Sequence, residues 1–377
     1  MKLMKVKEGK IELFVPKPKN GKFSKKTMPV FFNPQAELNR DISVSVIQVF
    51  QKHFKNKLTV CDALAGTGIR GLRYAKEVKG IKKVVLNDKN PIAVKLIKKN
   101  IKENKLTRKC KVSKEDANIL LRKNVFNVID IDPFGSPVNF LDSAARSIYH
   151  KGFLAVTATD QAPLCGTYPL TCFKKYGIIS LKTDFFAELG MRILISHIIL
   201  TLSKKDKAFF PLLVHSTKHY FRVFGKIEHL GKIKELLKSF GFVMYCKCGN
   251  REFGNIKEKC NCGKKFKVVG PVYLGKILDK KFCKEVLLDL KNRDFKLKKE
   301  EEKLLNFLVE ESEMPPFYYD LHFLARILKV KIPKINFLIE KLKVKGFKAS
   351  RTHFCLTAIK TDANFKTLKR ILKTISR

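Results

Sequence analysis

The sequence predicts an α/β fold: a doubly wound, Rossmann-like sheet domain followed by a smaller α+β C-terminal domain that resembles a winged helix. Over residues 58–160, short apolar runs alternate with amphipathic segments at the spacing of strand–helix units. A glycine-rich turn, "DALAGTGIRGL" at residues 62–72, joins the first of those strands to its helix. Beyond residue 265 this alternation gives way to charged helical stretches, so the boundary is drawn at 1–265 and 266–377.

In order, the first thirty residues read as a Lys- and Pro-rich lead-in. A helix follows from Asp41, taken as its N-cap, with Ile42, Val46, Val49 and Phe50 at helical spacing. "LTVCDA" is a strand ending at the glycine turn, and "GIRGLRYAKEV" the helix after it. "KKVVLND" is a second strand, and "NPIAVKLIKKNIKENKL" a helix with Pro91 in its first turn. "CKVSKEDA" leads through "LLRKN" to the strand of "FNVIDIDPFGSP". "NFLDSAARSIYHKG" and "FLAVTATD" complete a parallel sheet with helices on both faces. A long apolar helix, "FFAELGMRILISHIILTL", precedes two strand-like runs, "AFFPLLVHS" and "KHYFRVFGKI". After a short helix, "FGFVMY" runs into a cysteine cluster. The C-terminal part reads as helices, then helix, helix and a strand pair, with Leu338, Ile339 and Leu342 as the apolar stripe of the second helix. That order is the winged-helix order, in which the second helix often faces nucleic acid.

Lys and Arg number 78 against 34 for Asp and Glu, a formal charge of +44 distributed along the chain. Such an excess costs self-repulsion unless the working partner is a polyanion, which favours nucleic acid. The N-terminus has no apolar stretch suited to a signal peptide, and no run of about twenty apolar residues follows; a cytoplasmic protein without a membrane partner is expected. No sequence feature calls for an obligate protein partner. Four of the ten cysteines, Cys246, Cys248, Cys260 and Cys262, form two C-x-C pairs, each followed by glycine. Tight knuckles of this kind point to metal held by four thiolates, with structural zinc expected. Cys61, Cys110, Cys165, Cys172, Cys283 and Cys355 read as core or loop thiols.

Gly66, Gly68 and Gly71 satisfy G-x-G-x-x-G, and Asp88 follows the second strand, where an acid can hold ribose hydroxyls. That pattern serves a dinucleotide and S-adenosylmethionine equally. Asp62, ending the first strand, would repel a pyrophosphate but suits the positively charged amino-acid end of S-adenosylmethionine. Asp116 and Ala117 stand after the third strand, where an adenine amino group would be received, although a loop aspartate is often only a helix cap. On this reading Gly71 is incidental. The stretch "DIDPFGSP" places Asp132, Pro133 and Phe134 at the end of the fourth strand, like the Asp-Pro-Pro-aromatic motif of enzymes that methylate ring-conjugated amines. The lone pair of such an amine is delocalised. The Asp132 carboxylate and Pro133 carbonyl can draw it out by accepting from the NH₂, Asp132 can take the leaving proton, and Phe134 can stack on the base. Elsewhere Asp-Pro-Phe-Gly, residues 132–135, would be an ordinary β-turn. Asp130 falls on the same side of the strand, as a site member or a supporting charge. Tyr220, Phe221, Arg222 and Phe224 form either an RNA-stacking set or a strand with one buried face.

Taken together, "FFNPQAELNRDISVSV", "DALAGTGIRGLRYAKE", "DIDPFGSP", "TATDQAPLCGTYP", the cysteine cluster and "PPFYYDLHFLA" resemble the archaeal tRNA (guanine-N2)-dimethyltransferase family, from about Val30 to the C-terminal domain. The resemblance implies transfer of one or two methyl groups from S-adenosylmethionine to the exocyclic amine of a tRNA guanine, usually at position 26. It implies that Arg40, Arg70, Asp88, Asp116 and Ala117 line the cofactor and that Asp132 is catalytic. The first domain would then hold the cofactor and the second would grip tRNA. The cysteine pairs depart from the C-x-x-C spacing expected of the family. An amino-methyltransferase acting on adenine or guanine in rRNA or DNA is the competing enzyme. A zinc-stabilised RNA-binding protein on a degenerate fold is the competing class, and the intact Asp132, Asp88 and glycine loop argue against it.

Overall fold

The structure is a computed structural model, which describes residues 2–18, 23 and 28–375. Its N-terminal segment is not a plain lead-in. β1 (Leu3–Glu8) and β2 (Ile11–Pro16) form an antiparallel hairpin whose turn holds Gly9 at a φ of +52°. "IELFV" alternates as a half-buried strand does, with Ile11, Leu13 and Val15 fully buried. The density of lysine obscured that period.

A 3-10 turn at Pro34–Ala36 opens α1 (Glu37–His53), so Asp41 lies inside the helix rather than capping it. Asp41 is 1% exposed and faces Arg73 Nη1 at 2.5 Å; its carboxylate serves a buried ion pair, which is why it looked like a cap without being one. Then β3 (Leu58–Asp62), α2 (Ile69–Glu77), β4 (Ile81–Asn87), α3 (Pro91–Glu103), β5 (Cys110–Ser113), α4 (Ala117–Lys123), β6 (Phe126–Ile131), α5 (Val138–Ser147) and β7 (Ile148–Ala158) alternate as the periodicity requires. α6 (Gln161–Leu164), α7 (Pro169–Tyr176) and α8 (Phe186–Ser203) precede β8 (Ala208–Thr217) and β9 (Tyr220–Glu228).

Among the described residues the central sheet has the order β5-β4-β3-β6-β7-β9-β8. The first five strands are parallel, whereas β9 pairs antiparallel with both β7 and β8. The sheet is therefore mixed, because β8 and β9 form a hairpin, and a hairpin cannot join a parallel sheet with both strands in the same sense. Strand order reverses between β3 and β6, so their carboxyl ends splay the following loops apart and leave a crevice. α1, α2 and α10 (Lys280–Lys291) pack in one helical series and α4, α5 and α8 in another. α8 is the one helix among the described residues apolar and long enough to cross a membrane, yet 72% of it is buried inside the fold.

α9 (Ile233–Leu237) leads to a small sheet of β10 (Phe240–Tyr245), β11 (Arg251–Gly254) and β12 (Lys267–Tyr273), ordered β11-β10-β12. After α10 come α11 (Lys298–Glu311), β13 (Tyr319–Asp320), α12 (Leu321–Leu328), α13 (Ile335–Val344), β14 (Ala349–Arg351), β15 (Ala358–Thr361) and α14 (Phe365–Ile375). The main apolar core runs from the hairpin through α10 and α11 and includes Phe282, Val286, Leu305 and Leu308. A second core gathers Leu324, Leu338, Leu342, Ile359, Leu368 and their neighbours, with the strand order β13-β15-β14 beside them.

Candidate active site

The crevice at the reversal point is a cavity of about 690 Å³, within the size range of ligand sites. Its floor is the glycine loop. Gly66 (φ +55°) and Gly68 (φ +83°) occupy left-handed backbone that a β-carbon disfavours, which lets the chain turn sharply into α2. Gly66 lies on the wall, while Gly68 lies behind it, facing Leu86 and Ile97. Gly71 is not incidental. A β-carbon there would sit 2.9 Å from Leu86 Cδ2 and 3.2 Å from Asp62 Cβ, so glycine lets α2 lie directly on β4. Its N–H also donates to Asp62 Oδ2 at 2.9 Å.

Asp88 ties the loop from the other side, accepting from Gly66 N at 2.9 Å and Asn90 N at 2.8 Å. Asp116 does cap α4, accepting from Asn118 N at 2.8 Å, and with Ala117 it also lines the cavity. Arg40 lines the opposite wall, its guanidinium engaged with Glu8 at 2.7 and 2.5 Å and with the Asn33 carbonyl at 3.1 Å. The hairpin thus holds a site residue from 32 positions away.

At the end of β6, Asp132 Oδ2 accepts from Arg70 Nη2 at 2.5 Å. Arg70 is 5% exposed and is itself held by Asn39 Oδ1 at 3.0 Å and Ser43 Oγ at 2.9 Å. Asp130 is a supporting charge. Fully buried, it accepts from Arg222 at 2.8 and 2.6 Å and from the Tyr74 hydroxyl at 2.6 Å. Burial opposes its charge, but Arg222 and Arg70 hold its carboxyl below the usual range. Asp62 lacks such a partner, so burial first and the Asp130 charge second push it up to about 7. Pro133 and Phe134 form the lip, with Phe134 edge-on to Phe31 at 5.2 Å between ring centres. Gly135 N donates to Thr159 Oγ1 at 2.6 Å, which ties this turn to the end of β7.

The cavity brings together Arg40, Asp62, Gly66, Arg70, Asp88, Asp116, Ala117, Asp132, Pro133 and Phe134; of the residues expected there, Gly68 alone stands behind the wall. Sequence reasoning did not place Phe31, Asn39 or Tyr220 on it. "FFNPQAELNR" carries the signal for the first two, in an aromatic pair just before a helix and an asparagine in that helix's first turn. The RNA-stacking option for "HYFR" fails, because Phe221, Arg222 and Phe224 are fully buried. Tyr220 faces the cavity instead, and burial pushes its phenol up to about 12.

Away from this cleft, the sulfurs of Cys246, Cys248, Cys260 and Cys262 lie within 4.8 Å of one another. Cys246 and Cys262 are 3.5 Å apart, and Cys248 and Cys260 3.7 Å. Zn–S bonds of about 2.3 Å in a tetrahedron require sulfur separations of roughly 3.8 Å, so the donor set fits that ion. Gly249 N donates to the Cys246 carbonyl and Gly263 N to that of Cys260, each turn completed by a glycine of positive φ.

Comparison with known proteins bears on the cleft. A family model described as N2,N2-dimethylguanosine tRNA methyltransferase matches residues 9–373. A Methanosphaera stadtmanae protein named tRNA (guanine(26)-N(2))-dimethyltransferase is 41% identical over 98% of this chain and 96% of its own. One of the same name from Methanothermobacter thermautotrophicus is 39% identical, covering 98% of both. Trm1 from Pyrococcus horikoshii, solved with S-adenosyl-L-methionine, superposes with a TM-score of 0.88 at 34% identity, covering 98% of this chain and 100% of that one.

Proposed function

The chain belongs to the N2,N2-dimethylguanosine tRNA methyltransferase family, and on that premise we propose how its cleft moves methyl groups from S-adenosylmethionine to the exocyclic N2 of a tRNA guanine, at position 26 as in the relatives' names. The observation that carries the reading is Asp132-Pro133-Phe134 at the carboxyl end of β6, its carboxylate pinned by a buried arginine across from the glycine loop. S-adenosylmethionine, when bound, supplies the methyl group as an electrophile on its sulfonium. Asp88 receives ribose hydroxyls, Asp116 and the Ala117 backbone receive the adenine, and the glycine loop, Asp62 and Arg40 receive the amino-acid end.

The remaining work falls to the lip. Arg70 fixes Asp132 through Oδ2, which leaves Oδ1 and the Pro133 carbonyl to accept from the guanine NH₂. Those bonds localise the nitrogen lone pair and aim it, and Asp132 takes the proton that N2 sheds. Phe134, edge-on to Phe31, holds the base plane. The same reading assigns a closed structural zinc to the four cysteines and a tRNA-gripping, winged-helix-like role to the C-terminal part of a two-domain chain, 1–265 and 266–377. Cytoplasmic tRNA is the substrate pool.

The test incubates the pure protein with unmodified tRNA and S-adenosylmethionine and identifies the nucleosides released by digestion. N2-methylated guanosine is expected, and its absence, or product only with rRNA or DNA in place of tRNA, defeats the assignment. Asp132→Asn should lower transfer about 10²-fold or more with tRNA affinity retained. An unchanged rate would remove Asp132 from the chemistry.

A further inference from the structure

Three large apolar side chains outside the lining of the cleft find no place in the chemistry above. Tyr168, Leu170 and Phe173 are 58%, 77% and 54% exposed, all within six residues at the start of α7. A cluster of this kind on a soluble chain marks a contact surface. We infer that this edge is a wedge that enters tRNA beside the target guanine and fills the gap its base leaves. The inference rests on the reading of the cleft as a tRNA guanine methyltransferase site.

The wedge is rigidly mounted. On the buried side of α7 lie Cys172 and Tyr176, and the Tyr176 hydroxyl donates to Asp160 Oδ1 at 2.8 Å while accepting from Ser136 Oγ at 2.9 Å. Lys175 Nζ closes the same cluster on Asp160 at 3.0 Å. Upstream, Gly166 (φ +88°) passes so close to Leu181 and Lys182 that a β-carbon would come within 2.3 Å of their backbone. The exposed edge is therefore held by buried contacts on both sides.

Its position and surroundings select the occupant. Ser136 lines the cleft two residues from Phe134, so its bond to Tyr176 places α7 beside the mouth through which any base must pass. A cavity of this size, shared with a cofactor, admits one base, and a stacked guanine must leave its stack to enter. The step it vacates is an apolar slot between two bases, which proteins that deform nucleic acid fill with Phe, Leu or similar wedges. Exposed Lys174 and Lys182 flank the edge in a chain of net charge +44, which suits the phosphates on either side of such a slot and not a second copy of the same cationic chain.

The test uses the full-length triple variant Tyr168→Ser, Leu170→Ser, Phe173→Ser with two tRNAs. One is ordinary; the other carries an abasic site opposite the target, so that its guanine is already unpaired and costs less to extrude. A 2-aminopurine next to the target reports opening by its fluorescence. On ordinary tRNA the variant should lose about tenfold or more in kcat/KM together with most of the fluorescence rise, as expected when a flipping cost of this order goes uncompensated. On the opened tRNA it should return to within about threefold of the unaltered protein, with S-adenosylmethionine affinity unchanged on both. Equal loss on the two tRNAs, unaltered kinetics on ordinary tRNA, or a changed oligomeric state with intact tRNA kinetics would each overturn the wedge. Failure of the unaltered protein to methylate either tRNA would instead defeat the underlying reading of the cleft, and the wedge with it.

Discussion

Three buried or half-buried carboxylates, Asp62, Asp130 and Asp132, meet two guanidinium groups, Arg70 and Arg222, at the carboxyl ends of β3 and β6. The pairing leaves Asp62 without an arginine of its own, so burial first and the Asp130 charge second raise its carboxyl to about 7. The sign follows. An acid whose folded value lies above its unfolded one, about 3.9, holds a proton in the native state, so its contribution to stability is lost as pH rises from about 4 through 7. Cofactor binding runs the other way, since only the ionised form attracts a cationic amino group. S-adenosylmethionine affinity should therefore rise between pH 6 and 8, and Asp62→Asn should flatten that rise; an equal pH dependence in both proteins, measured by calorimetry, would refute it. The acids of this group were legible because each ends a strand in a parallel sheet, where sites form. Arg222 was not. Its carboxylate partner stands 92 residues away, and nothing local in "HYFR" distinguishes a buried guanidinium from a solvated one.

At the scale of elements, periodicity read the alternating sheet units well and failed where charge masked it. The β1–β2 hairpin escaped notice in a lysine-rich stretch, yet it supplies the Glu8 that holds Arg40 and Arg73. Antiparallel pairing of β8 and β9 with β7 was equally hidden, because alternation identifies a strand and not its direction. The cysteine knuckles were plain from spacing alone, but their mechanical position was not. A β-carbon on Gly249 would meet Ile327 Cδ1 at 2.6 Å and Phe365 at 3.1 Å, so one knuckle is packed on the second core. From the next strand Arg251 reaches back to Asp184 at 2.6 Å and to the Tyr318 carbonyl. Loss of the metal should therefore loosen the C-terminal part first. We predict one zinc per chain by elemental analysis, and that a chelator makes residues beyond about 312 protease-sensitive while S-adenosylmethionine binding persists. Undenatured protein without zinc, or protection unchanged by chelation, would contradict this.

Across the whole molecule the question is how the two cores are held at a fixed separation. The proposed tRNA grip on the second core can cooperate with the cleft only if their separation is fixed, and part of the joint between the two cores is a buried polar cluster. Lys360 of β15 is 2% exposed, with Nζ 2.9 Å from Glu188 Oε1 on α8 and 3.7 Å from Glu311 on α11. Glu311 also receives the Thr352 hydroxyl at 2.6 Å and the His353 ring, and Arg192 binds Glu188 at 3.0 Å. Burial opposes charge on Glu188 and Glu311, and the facing cations overcome it, holding both carboxyls below their usual range. Removing one member of such a cluster strands the others, at a cost of about 3–5 kcal/mol. Lys360→Met should lower the melting temperature by several degrees, and Glu188→Gln in the same chain should restore part of the loss. Because the joint lies away from the cleft, S-adenosylmethionine affinity should hold while KM for tRNA rises; a variant that melts like the unaltered protein, or one that loses cofactor binding as much as tRNA, would show that the joint does not set the spacing of the two cores.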